Sequence, residues 1–219
     1  MSAAGRAATV RTIEELGIIA VIRMRDAAKL REVIDALADG RVKAIEVTMT
    51  VPNAVELIEA LAPSLPPDIL LGAGTVTDAT TARAVIDAGA KFVVGPVFRR
   101  DVMDACRERD VAVAPGCFSP TEILDAYEYG ADIVKVFPAT ALGPQYIRDI
   151  RAPLPQLKVM PTGGVTLDNA GDWIRAGAAA VGAGSALLDA AAIESGRLEV
   201  ITVNARRIVA SVADARSRP

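Results

Sequence analysis

The sequence predicts an α/β protein whose parallel strands close into a single-domain (β/α)8 TIM barrel. Short apolar runs alternate with longer stretches of helical periodicity, and eight such cycles can be counted along the 219 residues. Strands that are apolar almost throughout are typical of a parallel sheet whose outer face is covered by helices. Eight strand-helix units favour closure into a barrel, and a doubly wound open sheet is the alternative fold.

The predicted strands are short runs in which Val, Ile and Ala predominate. They cover residues 17–23, 44–50, 69–75, 92–96, 111–117, 133–138, 158–163 and 180–185. Helical patterns include residues 27–38, 53–61, 80–88, 101–109 and 120–129, and a last amphipathic helix is expected at 198–213. Gly89, Gly130 and Gly177 lie where helices end, and we expect them to be structural because glycine tolerates the left-handed conformation found there.

The length predicts one domain over residues 1–219, with a short N-terminal extension at about residues 1–12 and a frayed tail at 216–219. The net charge of −3 lacks the basic excess that is typical of nucleic-acid binding. The N-terminal stretch has no apolar core typical of a signal peptide, and no apolar run reaches the ~18 residues of a membrane span. We therefore expect a cytoplasmic protein with neither nucleic acid nor membrane as a partner.

The absence of histidine restricts the chemistry that the chain can perform. It removes Ser-His and Cys-His nucleophile pairs together with the commonest metal ligand. Cys106 and Cys117 have neither the number nor the spacing of a disulfide framework or a zinc site, so we interpret them as small buried residues. Catalysis is therefore expected from Lys, Arg and carboxylates, without a metal or another cofactor.

Lys135 lies inside the apolar sixth predicted strand, where strand alternation places it on one face with Ile133 and Phe137. A buried ammonium without a partner is costly, so this lysine either pairs with a carboxylate or loses its proton readily. A desolvated amine with a lowered pKa can attack a carbonyl and form an imine. The residues alone leave both hypotheses open, a structural ion pair and a Schiff-base nucleophile.

Glu46 shares one face of the second predicted strand with Thr48 and Thr50, and we expect this face to be interior. A carboxylate beside an imine-forming lysine can move protons while the carbinolamine loses water, and later at the α-carbon. Glu46 is therefore the candidate general acid/base. The same contact could also serve only to neutralise Lys135.

Polar and glycine residues end several predicted strands, at the edge where barrels place their reactive groups. Arg23 and Thr75 could donate to a substrate carboxylate there, and a surface salt bridge is the alternative for Arg23. The last two strands end in Pro161-Thr-Gly-Gly164 and Gly182-Ala-Gly-Ser185, whose backbone N–H groups could approach a phosphate. Phosphate sites after strands seven and eight recur in barrels, although such glycines can also form simple tight turns.

Four motifs in this order and spacing resemble the 2-keto-3-deoxy-6-phosphogluconate (KDPG) / 4-hydroxy-2-oxoglutarate (KHG) aldolase family. They are Glu46-Val-Thr48, Gly72-Ala-Gly-Thr75, Lys135-Val-Phe-Pro138 and Pro161-Thr-Gly-Gly164, within a resemblance that covers residues 13–209. The resemblance implies a class I aldolase that reversibly cleaves KDPG to pyruvate and glyceraldehyde 3-phosphate in the Entner-Doudoroff pathway, with 4-hydroxy-2-oxoglutarate as a second candidate substrate. It also implies a homotrimer.

The resemblance further implies a role for each matching residue. Lys135 would form the Schiff base, and Glu46 would be the general acid/base. The other matching residues would surround the substrate: Phe137 and Pro96 at the pyruvyl group, Thr75 at the carboxylate, Thr162 near the aldehyde-derived hydroxyls, and Gly163, Gly164, Gly184 and Ser185 at the phosphate.

The sequence departs from some members at Met49-Thr50, where they carry an arginine that binds the substrate carboxylate. Other members place an arginine at the end of the first strand, so the resemblance assigns the carboxylate to Arg23. A 2-keto-3-deoxy-6-phosphogalactonate aldolase shares the lysine and the glutamate and is an alternative. Three further hypotheses stay open: a phosphosugar isomerase or epimerase without an imine, a metal-dependent pyruvate aldolase, and a non-catalytic phosphosugar-binding barrel.

Overall fold

The computed structural model describes residues 5–217 and shows an α/β fold with a curled parallel sheet. The strands in this part of the chain are β1 (Ile18–Ile22), β2 (Ala44–Thr48), β3 (Leu70–Gly74), β4 (Phe92–Val94), β5 (Ala112–Ala114), β6 (Gly116–Cys117), β7 (Val134–Val136), β8 (Val159–Pro161) and β9 (Val181–Ala183). One sheet has the order β5-β4-β3-β2-β1-β9, and a smaller one has the order β6-β7-β8. The predicted parallel α/β architecture is confirmed.

Helices connect the strands. They are α1 (Arg6–Leu16), α2 (Leu30–Asp39), α3 (Ala54–Leu61), α4 (Ala79–Asp87), α5 (Arg100–Glu108), α6 (Pro120–Glu128), α7 (Pro144–Arg151), α8 (Ala170–Arg175), α9 (Ala190–Glu194) and α10 (Glu199–Ser217). Gly89, Gly130 and Gly177 have φ angles of 108°, 100° and 101°, so their predicted structural role at helix ends is confirmed. Over the described range, no helix combines the length and the apolar character needed to cross a membrane.

The sheet is interrupted at two places, one on each side of the smaller sheet. Pro115 divides the fifth predicted strand into β5 and β6 because its ring nitrogen has no hydrogen to donate. Its carbonyl still accepts the backbone N–H of Lys135 at 2.9 Å. On the other side, a single bridge joins Thr162, just beyond β8, to Gly182 in β9.

Alternate strand residues face two separate apolar clusters. In β2, Ala44 belongs to an inner cluster, whereas Ile45 and Val47 belong to a larger cluster that also contains the buried helix residues. In β7, Val134 and Val136 likewise join the larger cluster. The side chains of Glu46 and Lys135 therefore lie on the inner face, and the predicted alternation is confirmed.

The chain before β1 forms a helix where the sequence predicted an extension over residues 1–12. Helix α1 packs Val10 and Ile13 against the inner cluster. Its first residue, Arg6, donates to the Asp132 carboxylate at 2.7 Å and to the Gly130 carbonyl at 2.6 Å. The sequence analysis missed this helix because its apolar stripe is short and the rest of it is polar. Residues 1–4 lie outside the described range.

The C-terminal helix is longer than predicted. Helix α10 continues through Ser217, so the prediction of a frayed tail is wrong for residues 216 and 217. The Arg216 guanidinium donates to the carbonyl oxygens of Glu14 and Glu15 at 2.5 Å each. These carbonyls lie in the last turn of α1, where oxygens have no partner within the helix, so the contact fixes the ends of both helices. Residues 218–219 lie outside the described range.

We expect Ile13→Ala to lower the free energy of unfolding by ~2–5 kcal/mol, because it deletes a buried side chain that covers the inner cluster. Urea denaturation measures this effect. Arg11→Ala on the exposed side of the same helix is the control and should change stability by less than ~0.5 kcal/mol. Equal stability of the two variants would show that α1 does not contribute to the core.

Candidate active site

Most of the predicted site residues gather just beyond the carboxyl ends of the strands. A cavity of about 310 Å³ at this edge is lined by Arg23, Phe137, Thr162, Gly163, Gly164, Gly184 and Ser185, together with apolar neighbours. Thr75 and Pro96 follow β3 and β4 and are not part of this lining. Lys135 and Glu46 lie one layer deeper on the inner face of β7 and β2.

Lys135 is 1% exposed, and its Nζ lies 5.1 Å from the ring centroid of Phe137. Within residues 5–217 its ammonium has neither a hydrogen bond nor an ion pair. Burial lowers the pKa of Lys135, the negative charge of Glu46 partly opposes this, and the nearby Arg23 lowers it further. The structural ion pair considered from the sequence is therefore not formed among the described residues.

Glu46 is completely buried, and neither of its carboxylate oxygens has a hydrogen-bond partner in the described structure. Burial raises the pKa of Glu46, whereas the positive charges of Lys135 and Arg23 lower it in part. The space for its carboxyl group is left by Gly74, where a Cβ would lie 1.8 Å from Oε1 of Glu46. Glu46 and Lys135 thus share a buried site in which burial favours the neutral form of each.

Thr48 and Thr50, which were predicted on the same face as Glu46, connect the end of β2 to the end of β1. Thr48 donates its hydroxyl to the carbonyl of Ile22 at 2.9 Å, and its Oγ1 also lies 2.6 Å from that of Thr50. Because Ile22 immediately precedes Arg23, this bond fixes the backbone from which the arginine extends.

Arg23 projects from the end of β1 and is exposed. It has no hydrogen bond or ion pair in the described part of the chain, so the surface salt bridge considered as its alternative is not formed there. Its charge nevertheless influences the pKa values of Lys135 and Glu46. A free guanidinium at this position is available to an anion that enters the cavity.

Thr162 provides an unused hydroxyl close to the cavity. It is 5% exposed, and its Oγ1 has no partner in the described structure. Gly182, which bridges to it, leaves the necessary room, because a Cβ there would lie 2.3 Å from Oγ1 of Thr162. An unpartnered buried hydroxyl is costly unless a ligand completes its hydrogen bonds.

The two glycine turns leave backbone donors at the cavity. Gly163 and Gly164 have φ angles of 90° and 73°, which glycine adopts without a steric penalty. The backbone N–H groups of Gly164, Gly184 and Ser185 donate to no protein oxygen within the described residues. Such groups are suited to bind the oxygens of an anion.

The sequence analysis named Gly74 and Gly182 only as members of motifs and did not foresee that they make room for the polar groups. Strand alternation could have predicted this role. Gly74 faces inward on the strand next to Glu46, and Gly182 faces inward on the strand next to Thr162. Thr75 was singled out, but its conformation was not foreseen: its φ of 61° is left-handed and costly for a β-branched residue.

The cysteines are buried, as predicted. Burial raises the pKa of Cys106 and of Cys117 to about 12, so neither forms a thiolate readily. Cys117 donates its thiol to the carbonyl of Glu122 at 3.3 Å.

Known proteins with similar sequences are aldolases that act on keto-deoxy sugar acids. The chain is 34% identical over 174 residues to a 2-dehydro-3-deoxy-6-phosphogalactonate aldolase of Escherichia coli, covering 79% of this chain and 85% of that protein. It is 32% identical over 197 residues to a 2-dehydro-3-deoxy-phosphogluconate aldolase of Pseudoalteromonas atlantica, covering 90% and 91%.

Solved structures agree with these sequence matches. A native KDPGal structure superposes with a TM-score of 0.86 at 31% identity, covering 93% of this chain and 97% of that one. A KDPG aldolase from Legionella pneumophila, with pyruvate captured as a covalent carbinolamine, superposes with a TM-score of 0.84 at 29% identity, covering 91% and 97%. The family model for KDPG and KHG aldolase matches residues 10–203. The chain therefore belongs to the KDPG and KHG aldolase family.

Proposed function

We propose that the chain is a class I aldolase that reversibly cleaves 2-keto-3-deoxy-6-phosphogluconate to pyruvate and glyceraldehyde 3-phosphate, with 4-hydroxy-2-oxoglutarate as a further substrate. The observation that carries this proposal is the amine of Lys135, which is buried beside Glu46 with no hydrogen bond or ion pair among the described residues. A lysine in this state is the nucleophile that imine chemistry requires.

Imine formation begins when the neutral amine of Lys135 attacks C2 of the keto acid. The nitrogen lone pair forms the C–N bond as the carbonyl π electrons move to the oxygen, and a proton passes from the nitrogen to that oxygen to give a neutral carbinolamine. A second proton then converts that hydroxyl into leaving water, and the protonated imine remains. Glu46 is the proposed proton donor, since its raised pKa keeps a proton on the carboxyl group to higher pH than usual.

Cleavage uses the imine as an electron acceptor. The electron pair of the C3–C4 bond moves toward the imine, while the C4 hydroxyl gives its proton to the base and becomes the carbonyl of the released aldehyde. Protonation of the resulting enamine at C3 and hydrolysis of the imine then release pyruvate and restore the amine of Lys135. We assign the proton transfers at C3 and at the C4 hydroxyl to Glu46.

The remaining residues hold the two anionic ends of the substrate. We assign the carboxylate to Arg23 and Thr75, and the faces of the pyruvyl group to Phe137 and Pro96. The unpartnered hydroxyl of Thr162 supports a role in binding the substrate hydroxyls. The two glycine turns, with Gly163, Gly164, Gly184 and Ser185, are assigned to the phosphate.

The proposal includes a closed (β/α)8 barrel in a single domain over residues 1–219. It is supported by the hydrogen bond from Lys135 to Pro115 and by the bridge from Thr162 to Gly182, which span the two interruptions of the sheet. The homotrimer and the cytoplasmic location stay predictions that rest on the family resemblance.

Incubation with pyruvate and sodium borohydride should attach one pyruvate-sized adduct to Lys135, identified by intact mass and peptide mapping. Lys135→Met should abolish the adduct, because the nucleophile is lost while the site stays apolar. Glu46→Gln should reduce turnover by ~100-fold or more but still form an adduct, since a proton carrier is lost and the amine is kept. Equal trapping in Lys135→Met would disprove the assignment.

The pH dependence of trapping should report the shifted pKa of Lys135. Its lowered pKa exposes neutral amine earlier, so the initial rate with cyanoborohydride should rise with pH and level off below the ordinary lysine pKa of ~10.4. Glu46→Gln removes a charge that raises this pKa and should move the rise to lower pH. Arg23→Gln removes a charge that lowers it and should move the rise to higher pH. Shifts in the same direction in both variants would contradict this arrangement of charges.

A second candidate function is cleavage of 2-keto-3-deoxy-6-phosphogalactonate, favoured by the 34% identity to the E. coli enzyme of that name. The two activities share the imine step and differ in the stereochemistry of the substrate. The ratio of kcat/KM for the two purified substrates distinguishes them. We expect the ratio to favour the phosphogluconate by ~10-fold or more, and the opposite preference would assign the chain to the second function.

A further inference from the structure

A second cavity, of about 620 Å³, opens beside the substrate cavity. The two cavities share the lining residues Arg23, Leu188 and Ala190. The rest of the second lining comes from the segment after β1 and from α9: Met24, Arg25, Asp26, Lys29, Ile193 and Glu194. A ligand group bound at the glycine turns is therefore next to the second cavity, whose lining includes the basic residues Arg25 and Lys29.

Arg25 extends the alternation of β1 beyond the end of the strand. Arg23 and Arg25 are exposed, whereas Met24 between them packs against the large apolar cluster. Both arginines therefore project away from that cluster, and both line the second cavity. In the described part of the chain, Arg25 makes no hydrogen bond and no ion pair.

The other charged residues of the second cavity, apart from Arg23, make no ion pair with Arg25 among the described residues. Lys29 donates its ammonium to the carbonyls of Ile193 and Glu194 at 2.9 Å each. The Asp26 carboxylate accepts the backbone N–H of Ala28 at 3.1 Å. Glu194 also lines the cavity, and no ion pair joins it to Arg25. Among the described lining residues, Arg23 and Arg25 are thus the cations without a partner.

The charges of the substrate require more than one of these cations. A keto-deoxy sugar acid phosphate carries a carboxylate at one end and a phosphate at the other. Arg23 follows β1, whose Val21 pairs with Glu46 of β2, and it lines the substrate cavity together with Phe137, so we place it at the keto-acid end. The glycine turns offer backbone N–H groups but no formal positive charge, and a phosphate is bound most strongly when a guanidinium joins such donors.

We propose that Arg25 binds the phosphate of the substrate from the second cavity and so determines the preference for phosphorylated over unphosphorylated sugar acids. This inference rests on the proposed function and adds a residue to its phosphate site. It assigns the two arginines to opposite ends of one ligand.

The test is Arg25→Gln, which removes the charge and keeps most of the side-chain length. We expect KM for the phosphorylated substrate to rise about tenfold with kcat changed by less than about twofold. For unphosphorylated 2-keto-3-deoxygluconate, kcat/KM should stay within about twofold. Arg25→Lys, which keeps the charge without the planar fork, should recover part of the loss.

Two controls separate this role from general effects. Arg11→Gln makes the same change on the exposed side of α1, at the opposite end of the strands, and should leave both substrates unaffected. Inorganic phosphate should bind more weakly to Arg25→Gln than to the unchanged protein in calorimetry, and this readout holds even if no pyruvate adduct forms and the aldolase proposal fails. An equal loss for both substrates, or an unchanged KM for the phosphorylated one, would overturn the inference.

Discussion

The removal of the Lys135 amine from water is the constraint on which the rest of the site depends. An amine can be kept neutral in a folded protein when it is surrounded by apolar groups and when no carboxylate pairs with it directly. Here apolar residues lie below it on the inner face, Phe137 lies above it, and the carboxyl group of Glu46 is near enough to influence its pKa without forming an ion pair. The same burial raises the pKa of Glu46, so one physical cause moves the pKa values of the two groups toward each other.

The polar side chains of the site also need space on the inner face, and glycines on the neighbouring strands provide it. Gly74 leaves space for the carboxyl group of Glu46, and Gly182 leaves space for the hydroxyl of Thr162. Deeper in the sheet, Gly72 does the same for the ring of Phe92, since a Cβ would lie 2.5 Å from that ring. Small residues on one strand thus decide where the large or polar side chain of the next strand can point, and the chemistry at the rim depends on residues that perform none of it.

Strand alternation and helical periodicity predicted the features that depend on residues close together in the sequence. Period-2 alternation was sufficient to place Glu46 and Lys135 on the inner face, and helical periodicity located α3 to within a residue of its bounds. The split of the fifth strand was not predicted, because the pattern showed a continuous apolar run and gave no weight to the missing N–H of Pro115. Helix α1 was missed since its stability comes from distant partners such as Asp132, which no local window contains. Arg25 carried no signal either, because a single arginine after a strand looks like any solvated side chain until the cavity beside it is known.

Both terminal helices are fastened at the end of the strands that lies away from the rim. Arg6 at the start of α1 contacts the residues that precede β7, and Arg216 near the end of α10 reaches the last turn of α1. The described chain therefore begins, at residue 5, and ends, at residue 217, on the side opposite the cavities. The two points at which the described chain could be anchored to a surface or joined to another protein are thus separated by the length of the strands from the opening through which small molecules enter.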